Sequence, residues 1–461
     1  MTTLLEPLQP ALDRVLRRQG HELTDAEFAD AASKFGLNIR PGADDDGWET
    51  CPTIELCCGT RMHLYKDGEA LGRIFEILRR AEKQILIETY IWAGDGTGEA
   101  FANLLCEKAE AGVQVFVIYD GFGSMLTPRE PLDRMKASGV HVVEFHPPRF
   151  WQCRWRWRPF NRDHRKLFVV DNKIACVGGL NIGTRYAGKW VDPDATPNPA
   201  RMWRDAGVGV SGPAARHFAE AFRRTWDYCL DRGHIDQTLY TRGIDIGRRA
   251  KGHRLGKVRE SLRRDRRQTP GVYPETVIER GSDVAFLGTS PTFASPLRPV
   301  LYRLLRDARR SIDLTTAYFA PDDELIEGLC RAGRRGVRVR LLFAGRTDVP
   351  AVKIAGRSFY NRLMDAGAEI WERQGCMLHQ KTIVIDGNVS VIGSTNLDYR
   401  SIEFNLELSI MIRSPDFAER LSHMFDLDTQ YSEKIDPALW RERPTRDRIV
   451  QWAISRMRYF L

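Results

Sequence analysis

The sequence predicts a duplicated α/β protein, two halves of one chain that are each a sheet covered by helices on both faces. Three observations carry this expectation. A polar spacing occurs twice: His164, Lys166 and Asp171 lead after six residues to Gly178-Gly179-Leu180-Asn181, and His379, Lys381 and Asp386 lead after six to Gly393-Ser394-Thr395-Asn396. Strand and helix patterns alternate around each copy. Beyond each copy a carboxylate stands eight residues before a proline that opens a helical pattern, Asp205 before Pro213 and Glu407 before Pro415.

In chain order, residues 1–47 read as a helical extension outside the duplication. Leu8, Leu12, Val15 and Leu16 fall at helical spacing, and Thr24-Asp25-Ala26-Glu27 is a capping-box pattern. The first half spans 48–230, with helices expected over 71–81, 98–111 and 131–138 and strands over 84–90, 113–119 and 140–145. The strand headed by His164 and Lys166 follows; alternation by two sets both side chains on one side, while Val169 and Val170 bury the rest. A helix over 213–226 closes this half. Residues 231–282 carry few strand signals and read as a basic linker or insertion. The second half, 283–435, repeats the order: helices over 299–308, 324–332 and 359–366, strands over 311–318 and 337–343, a short run over 368–371 into the His379 strand, and a helix over 415–425. Residues 436–461 read as a basic amphipathic C-terminal helix, with Val450, Ala453, Ile454, Met457 and Leu461 on one face.

Composition bounds the function. With 461 residues, 43% of them apolar and 28% charged, the chain has material for two or three packed domains. No run of 18 or more apolar residues occurs, so nothing in it is expected to cross a bilayer, and Met1–Leu16 does not read as a signal peptide. Nine scattered cysteines suit a reducing cytoplasm rather than a disulfide framework. Cys57-Cys58 has no second pair at ligand spacing, so a thiol pair without metal is expected. The net charge of +8 is local: residues 248–267 hold ten Lys/Arg against two acids, a balance equal to that of the whole chain.

Two copies of His-x-Lys-x4-Asp with the trailing Gly-Gly/Ser-x-Asn resemble the phospholipase D superfamily. The flanking Ile87-Glu88-Thr89-Tyr90-Ile91-Trp92 and Tyr318-Phe319-Ala320-Pro321 narrow the resemblance to bacterial cardiolipin synthases, over residues 48 to 435. The resemblance implies two α/β/α sandwich halves related by a pseudo-two-fold axis, with the active site at their interface. It gives the nucleophilic role to His164 and the acid/base role to His379, which the nearly symmetric sequence does not decide.

The residue types fit the chemistry. A phosphodiester is anionic and needs cationic donors around its oxygens, which Lys166 and Lys381 supply. Neutral imidazole attacks phosphorus and leaves again. Asn181, Asn396 and Ser394 are expected to add donors to the bound phosphate; Gly179, where the second copy has Ser394, leaves that grip uneven. Glu88 is a further candidate to face the pocket. Each histidine needs an acceptor on its far nitrogen; the resemblance implies a downstream carboxylate for this, Glu407 for His379 and, by the internal repeat, Asp205 for His164. Asp171 and Asp386 complete the catalytic motifs and are expected to hold the loops rather than touch substrate. No metal and no cofactor is required, because the lysines already supply positive charge.

For the substrate, Trp155 and Trp157 alternate with Arg154, Arg156 and Arg158, and Trp151 precedes them, a composition suited to the headgroup level of an anionic membrane. The C-terminal helix can lie on a bilayer in the same way. The expected reaction moves a phosphatidyl group between phosphatidylglycerol molecules and releases glycerol, at the cytoplasmic face of the cell membrane, with the protein peripheral. Hydrolysis of other phospholipids, or transfer to another alcohol, is the alternative. A metal-independent nuclease ranks below both, so nucleic acid is not the expected partner, and the oligomeric state is left open.

Overall fold

The computed structural model describes residues 52–148, 161–187, 203–231, 283–288 and 297–458. The extension 1–47, the Trp/Arg stretch, the segment 248–267 and Leu461 lie outside the described residues.

The first sheet holds β1 (Ile54–Glu55), β2 (Arg61–Lys66), β3 (Gln84–Thr89), β4 (Gln114–Asp120), β5 (His141–Phe145), β6 (Leu167–Val170), β7 (Ile174–Gly178) and β9 (Ala206–Ser211). Its order is β1-β2-β9-β7-β6-β3-β4-β5. The second sheet holds β10 (Val284–Gly288), β11 (Ser311–Thr316), β13 (Arg338–Arg346), β14 (Glu369–Leu378), β15 (Thr382–Ile385), β16 (Val389–Gly393), β18 (Leu408–Arg413) and β19 (Ser432–Lys434) in the order β10-β18-β16-β15-β11-β13-β14-β19. From β2 to β5 and from β10 to β14 the two orders match strand for strand, which is the duplication expressed as topology.

The sheets are mixed for a reason visible in the residues. Runs such as Ile85-Leu86-Ile87 and Val115-Phe116-Val117-Ile118 are buried on both faces, as parallel central strands require. β3 pairs β4 in parallel, while β6 pairs β3 antiparallel with Ile85 opposite Val170. Each His-x-Lys strand is thereby inserted antiparallel beside the first of the parallel strands of its half, β3 or β11, with its histidine at the end where the parallel strands finish. One apolar core backs the outer helices of the first half and another those of the second. A third lies between the halves and joins helix Ala215–Asp231 (Phe218, Phe222, Trp226) to helix Pro415–Gln430 (Phe417, Leu421). That shared core fixes the angle at which the two motifs meet.

Two short main-chain ladders then cross from half to half. β8 (Trp203–Arg204) pairs β14 at Met377–Leu378, and His379 N–H donates to Arg204 O at 2.8 Å. In the equivalent place Asp163 bridges Leu406, and His164 N–H donates to Leu406 O at 2.9 Å.

The expected helices and strands lie within a few residues of those observed, with three differences. Pro213 precedes rather than begins its helix, which opens at Ala215; Pro415 does begin its own, capped by Ser414. The run over 368–371 is the start of a ten-residue strand. The described part of 436–461 is two helices rather than one, Pro437–Arg441 and Thr445–Ser455, since Pro444 removes the main-chain donor that would have joined them.

Candidate active site

Both His-x-Lys pairs stand at the heads of β6 and β15, where the chain arrives from a crossover ladder. His164, Lys166, His379 and Lys381 are all buried, with His164 the most open at 8% exposure. The motifs share one electrostatic site: the Lys381 charge acts on His164 and Lys166, and the Lys166 charge acts on His379.

The carboxylates pair with the histidines in the opposite sense to the sequence expectation. His164 Nδ1 lies 2.9 Å from Glu407 Oε1, and His379 Nδ1 lies 2.7 Å from Asp205 Oδ2. The crossover ladders cause this. Arg204 is laid against Leu378, so Asp205 arrives at His379; Leu406 is laid against Asp163, so Glu407 arrives at His164. Each half therefore braces the histidine of the other.

Burial dominates the imidazoles. It lowers His164 to about 4, with Glu407 pulling upward and Lys166 downward. It lowers His379 to about 3, helped by Lys381 and opposed by Asp205. Burial pushes the two carboxylates up, but His379 for Asp205 and His164 for Glu407 outweigh it and leave both below the usual range. The consistent state is a neutral imidazole whose Nδ1–H donates to an ionised carboxylate, leaving a lone pair on Nε2. Burial brings Lys166 down to about 7 and Lys381 to about 8. Each ammonium donates back to the carbonyl of its own histidine, Lys166 to His164 O at 2.5 Å and Lys381 to His379 O.

Ser394 is not free to hold substrate. Its hydroxyl donates to Glu407 Oε2 at 2.5 Å and accepts from Leu408 N–H at 3.0 Å. Gly179 is its counterpart for a steric reason: a Cβ there would lie 2.2 Å from Asp205 Oδ1. The longer Glu407 stands off and leaves room for a hydroxyl; the shorter Asp205 presses onto the main chain and requires glycine. The uneven grip on phosphate expected from Gly179 is thus replaced by two ways of seating a carboxylate.

Glu88 belongs to the other face of the sheet. It is fully buried and lies 3.6 Å from Arg165, the residue that alternates away from His164 and Lys166. Asp171 and Asp386 sit at the far ends of β6 and β15, outside the pocket. Asp171 accepts from the N–H groups of Glu82 (3.0 Å), Lys83 (2.8 Å) and Gln84 (2.8 Å), and Asp386 from those of Arg309, Arg310 and Ser311. Both adopt positive φ, 52° and 56°, in their hairpin turns, so their task is to close the turn rather than to meet the phosphate. Asn181 and Asn396 are buried after β7 and β16, and Asn181 Oδ1 accepts from Ile91 N–H at 3.0 Å, next to Tyr90.

Aromatic rings complete the walls. Tyr90 packs edge-on to His164 at 4.9 Å, with the Lys166 ammonium 5.2 Å from its centre. His379 lies against Trp203 (4.7 Å), Tyr186 (5.8 Å) and Tyr318 (6.3 Å). Tyr90 and Tyr318 stand in stretches that flank the motifs in sequence, but Tyr186 and Trp203 reach the site only through the fold. Among the described residues no group of three His, Cys, Asp or Glu side chains gathers as a metal site.

A family model described as cardiolipin synthase, PLD-like domain, matches the chain twice, over residues 74–226 and 301–429, each match holding one histidine and one bracing carboxylate. Cardiolipin synthase of Geobacillus thermodenitrificans is 30% identical over 398 residues, 84% of this chain and 70% of that protein. Cardiolipin synthase A of Pseudomonas putida is 30% identical over 377 residues, 81% of this chain and 70% of the other. Among solved structures, phosphatidylserine synthase of Haemophilus influenzae has a TM-score of 0.64 at 15% identity, covering 94% of this chain and 100% of that one, a likeness of fold.

Proposed function

This chain belongs to the cardiolipin synthase family of phospholipase D-like enzymes, and from that premise we propose that it transfers a phosphatidyl group from one phosphatidylglycerol to another, making cardiolipin and releasing glycerol. Residues 48–230 and 283–435 act as the catalytic halves, and the protein works as a peripheral enzyme on the cytoplasmic face of an anionic membrane. The observation that carries the reading is the crossed bracing of two neutral imidazoles, His164 by Glu407 and His379 by Asp205, around two lysines.

The steps follow from those atoms. Lys166 and Lys381, aided by the amides of Asn181 and Asn396, hold the phosphate oxygens. The substrate's negative charge raises the proton affinity of His379, which enters the reaction as imidazolium beside Asp205. His164 Nε2 bonds to phosphorus as the P–O bond to the glycerol leaving group breaks, and His379 gives that oxygen its proton. The second lipid's hydroxyl then returns a proton to His379 as its oxygen displaces His164. Glu407 stabilises the charge that builds on His164 while it carries the phosphatidyl group.

Incubation with phosphatidylglycerol vesicles, followed by mass spectrometry of lipids and of water-soluble products, tests the proposal. Diphosphatidyl lipid with matching free glycerol is expected. Phosphatidic acid in its place would make water the acceptor and the protein a hydrolase, and no turnover of any phospholipid would end the reading.

A further inference from the structure

A second basic recess lies outside the catalytic pocket. It is formed where helix Thr445–Ser455 packs beside the end of helix Pro350–Arg357, encloses about 400 Å³, and gathers Arg443, Arg448, Arg456 and Arg458, with Asp323 the one acid among its described lining residues. Asp323 is taken by Arg458 at 2.7 Å. Arg443 leans on neutral oxygens, Gln451 Oε1 at 3.2 Å and Trp440 O at 2.6 Å. Three further arginines thus line one space with no second carboxylate among its described lining residues, and burial together with the neighbouring Arg448 charge lowers the Arg443 pKa against the opposing pull of Asp447. The planes are held in advance of any ligand: Arg443 stacks on Trp440 at 4.6 Å, Arg456 on Trp452 at 5.3 Å and Arg458 on Phe359 at 5.4 Å. Clustered, oriented guanidinium groups match the geometry of phosphate oxygens.

The surroundings are apolar where a soluble anion would need nothing. Ile449 (60% exposed), Val450 and Trp452 (59%) on the same helix, and Met457 just after it, present open side chains. A ligand with a phosphate and hydrocarbon attached satisfies both features.

We propose that this recess is a second phosphate site, distinct from the catalytic one, that takes the phosphate of an anionic phospholipid and seats the C-terminal helix on the membrane. Choosing a lipid over free phosphate rests on the phosphatidyl transfer proposed above. Ile454 on this helix joins Ala320, Val352 and Ala355 in a small apolar cluster that also touches Tyr318, the ring beside His379. A seated helix therefore holds the wall of the catalytic pocket.

The test uses the full chain with His164→Ala, so that no turnover alters the membrane, with and without Arg448→Gln plus Arg456→Gln. Both arginines are exposed, and equal melting temperatures check that the fold is kept. Partition onto phosphatidylglycerol vesicles is expected to weaken about fivefold per arginine removed, while partition onto phosphatidylcholine vesicles stays the same. Millimolar inorganic phosphate should not displace the protein from the vesicles. An unchanged partition would overturn the proposal, and so would phosphate binding that the substitutions abolish without any effect on vesicles, because the site would then serve free phosphate. Wild-type protein that binds vesicles through these arginines yet makes no diphosphatidyl lipid would refute the catalytic reading and leave this site standing.

Discussion

Glu407→Gln removes one negative charge from the far side of His164 while keeping the shape of the side chain. At an effective dielectric of about 20, unit charges at the 2.9 Å separation of His164 Nδ1 and Glu407 Oε1 interact by about 6 kcal/mol. Charge spread over the ring and both carboxylate oxygens leaves roughly half of that, so on the proposed mechanism formation of the phosphohistidine should slow by about 10²-fold. Asp205→Asn is the matched control, because it disturbs only His379, the imidazole proposed to protonate the leaving oxygen. Single-turnover measurements with phosphatidylglycerol and with its p-nitrophenyl counterpart separate the two. A p-nitrophenolate leaves without a proton, so Asp205→Asn should be slow on the natural lipid and near normal on the activated one. Glu407→Gln should be slow on both. If the activated ester rescued Glu407→Gln and not Asp205→Asn, the roles assigned through the crossed pairing would be refuted.

On the proposed mechanism the pH profile of kcat/KM should rise through an acid limb near 4 as His164 becomes neutral, decline gradually above it because His379 has to take up a proton when substrate binds, and fall more steeply between about 7 and 8 as Lys166 and Lys381 lose their protons. A flat profile from pH 6 to 10 would count against it. Stability carries its own sign: His164 binds a proton near pH 4 when folded and near about 6.5 when unfolded, so the unfolded chain takes up more protons between those values and the melting temperature should drop as pH falls through that window. Gly179→Ala forces a Cβ against Asp205, 2.2 Å from Oδ1, and should lower kcat by about 10²-fold through misplacement of His379; unaltered turnover would show that Asp205 has room to move. Asp171→Ala removes an acceptor from three main-chain N–H groups on a largely exposed turn, and should cost about 1–3 kcal/mol in denaturant unfolding while kcat stays within a few-fold; lost turnover in a fully folded variant would return Asp171 to the chemistry.

Much of this was legible in the residues for a physical reason. Period-two alternation at His164-Arg165-Lys166 fixes which side chains share a face, and buried runs such as Ile85-Leu86-Ile87 mark central strands wherever they occur. The pairing of Asp205 with His379 was not legible, because it depends on how two halves dock, and β8 crosses to β14 over a sequence distance that no local pattern records. Glu88 stands in the strand beside the motif, yet whether it faces phosphate or Arg165 turns on a register of one residue. Helix Pro350–Arg357 leaves little mark in the sequence because its eight residues give little more than two turns of pattern. The length of strand β14 is masked in the sequence by Glu372, Arg373 and Gln374, which interrupt its apolar run, although Glu372 is buried against Arg357 and Tyr360.

Trapping the covalent intermediate tests the central claim most directly. The His379→Ala variant, mixed with the p-nitrophenyl phosphatidyl ester and quenched at high pH, should carry one phosphatidyl group on the peptide that contains His164, found by mass spectrometry, with one p-nitrophenolate released per chain. Release without an adduct, or an adduct on any other residue, would contradict an attack by His164 across the interface of the two halves.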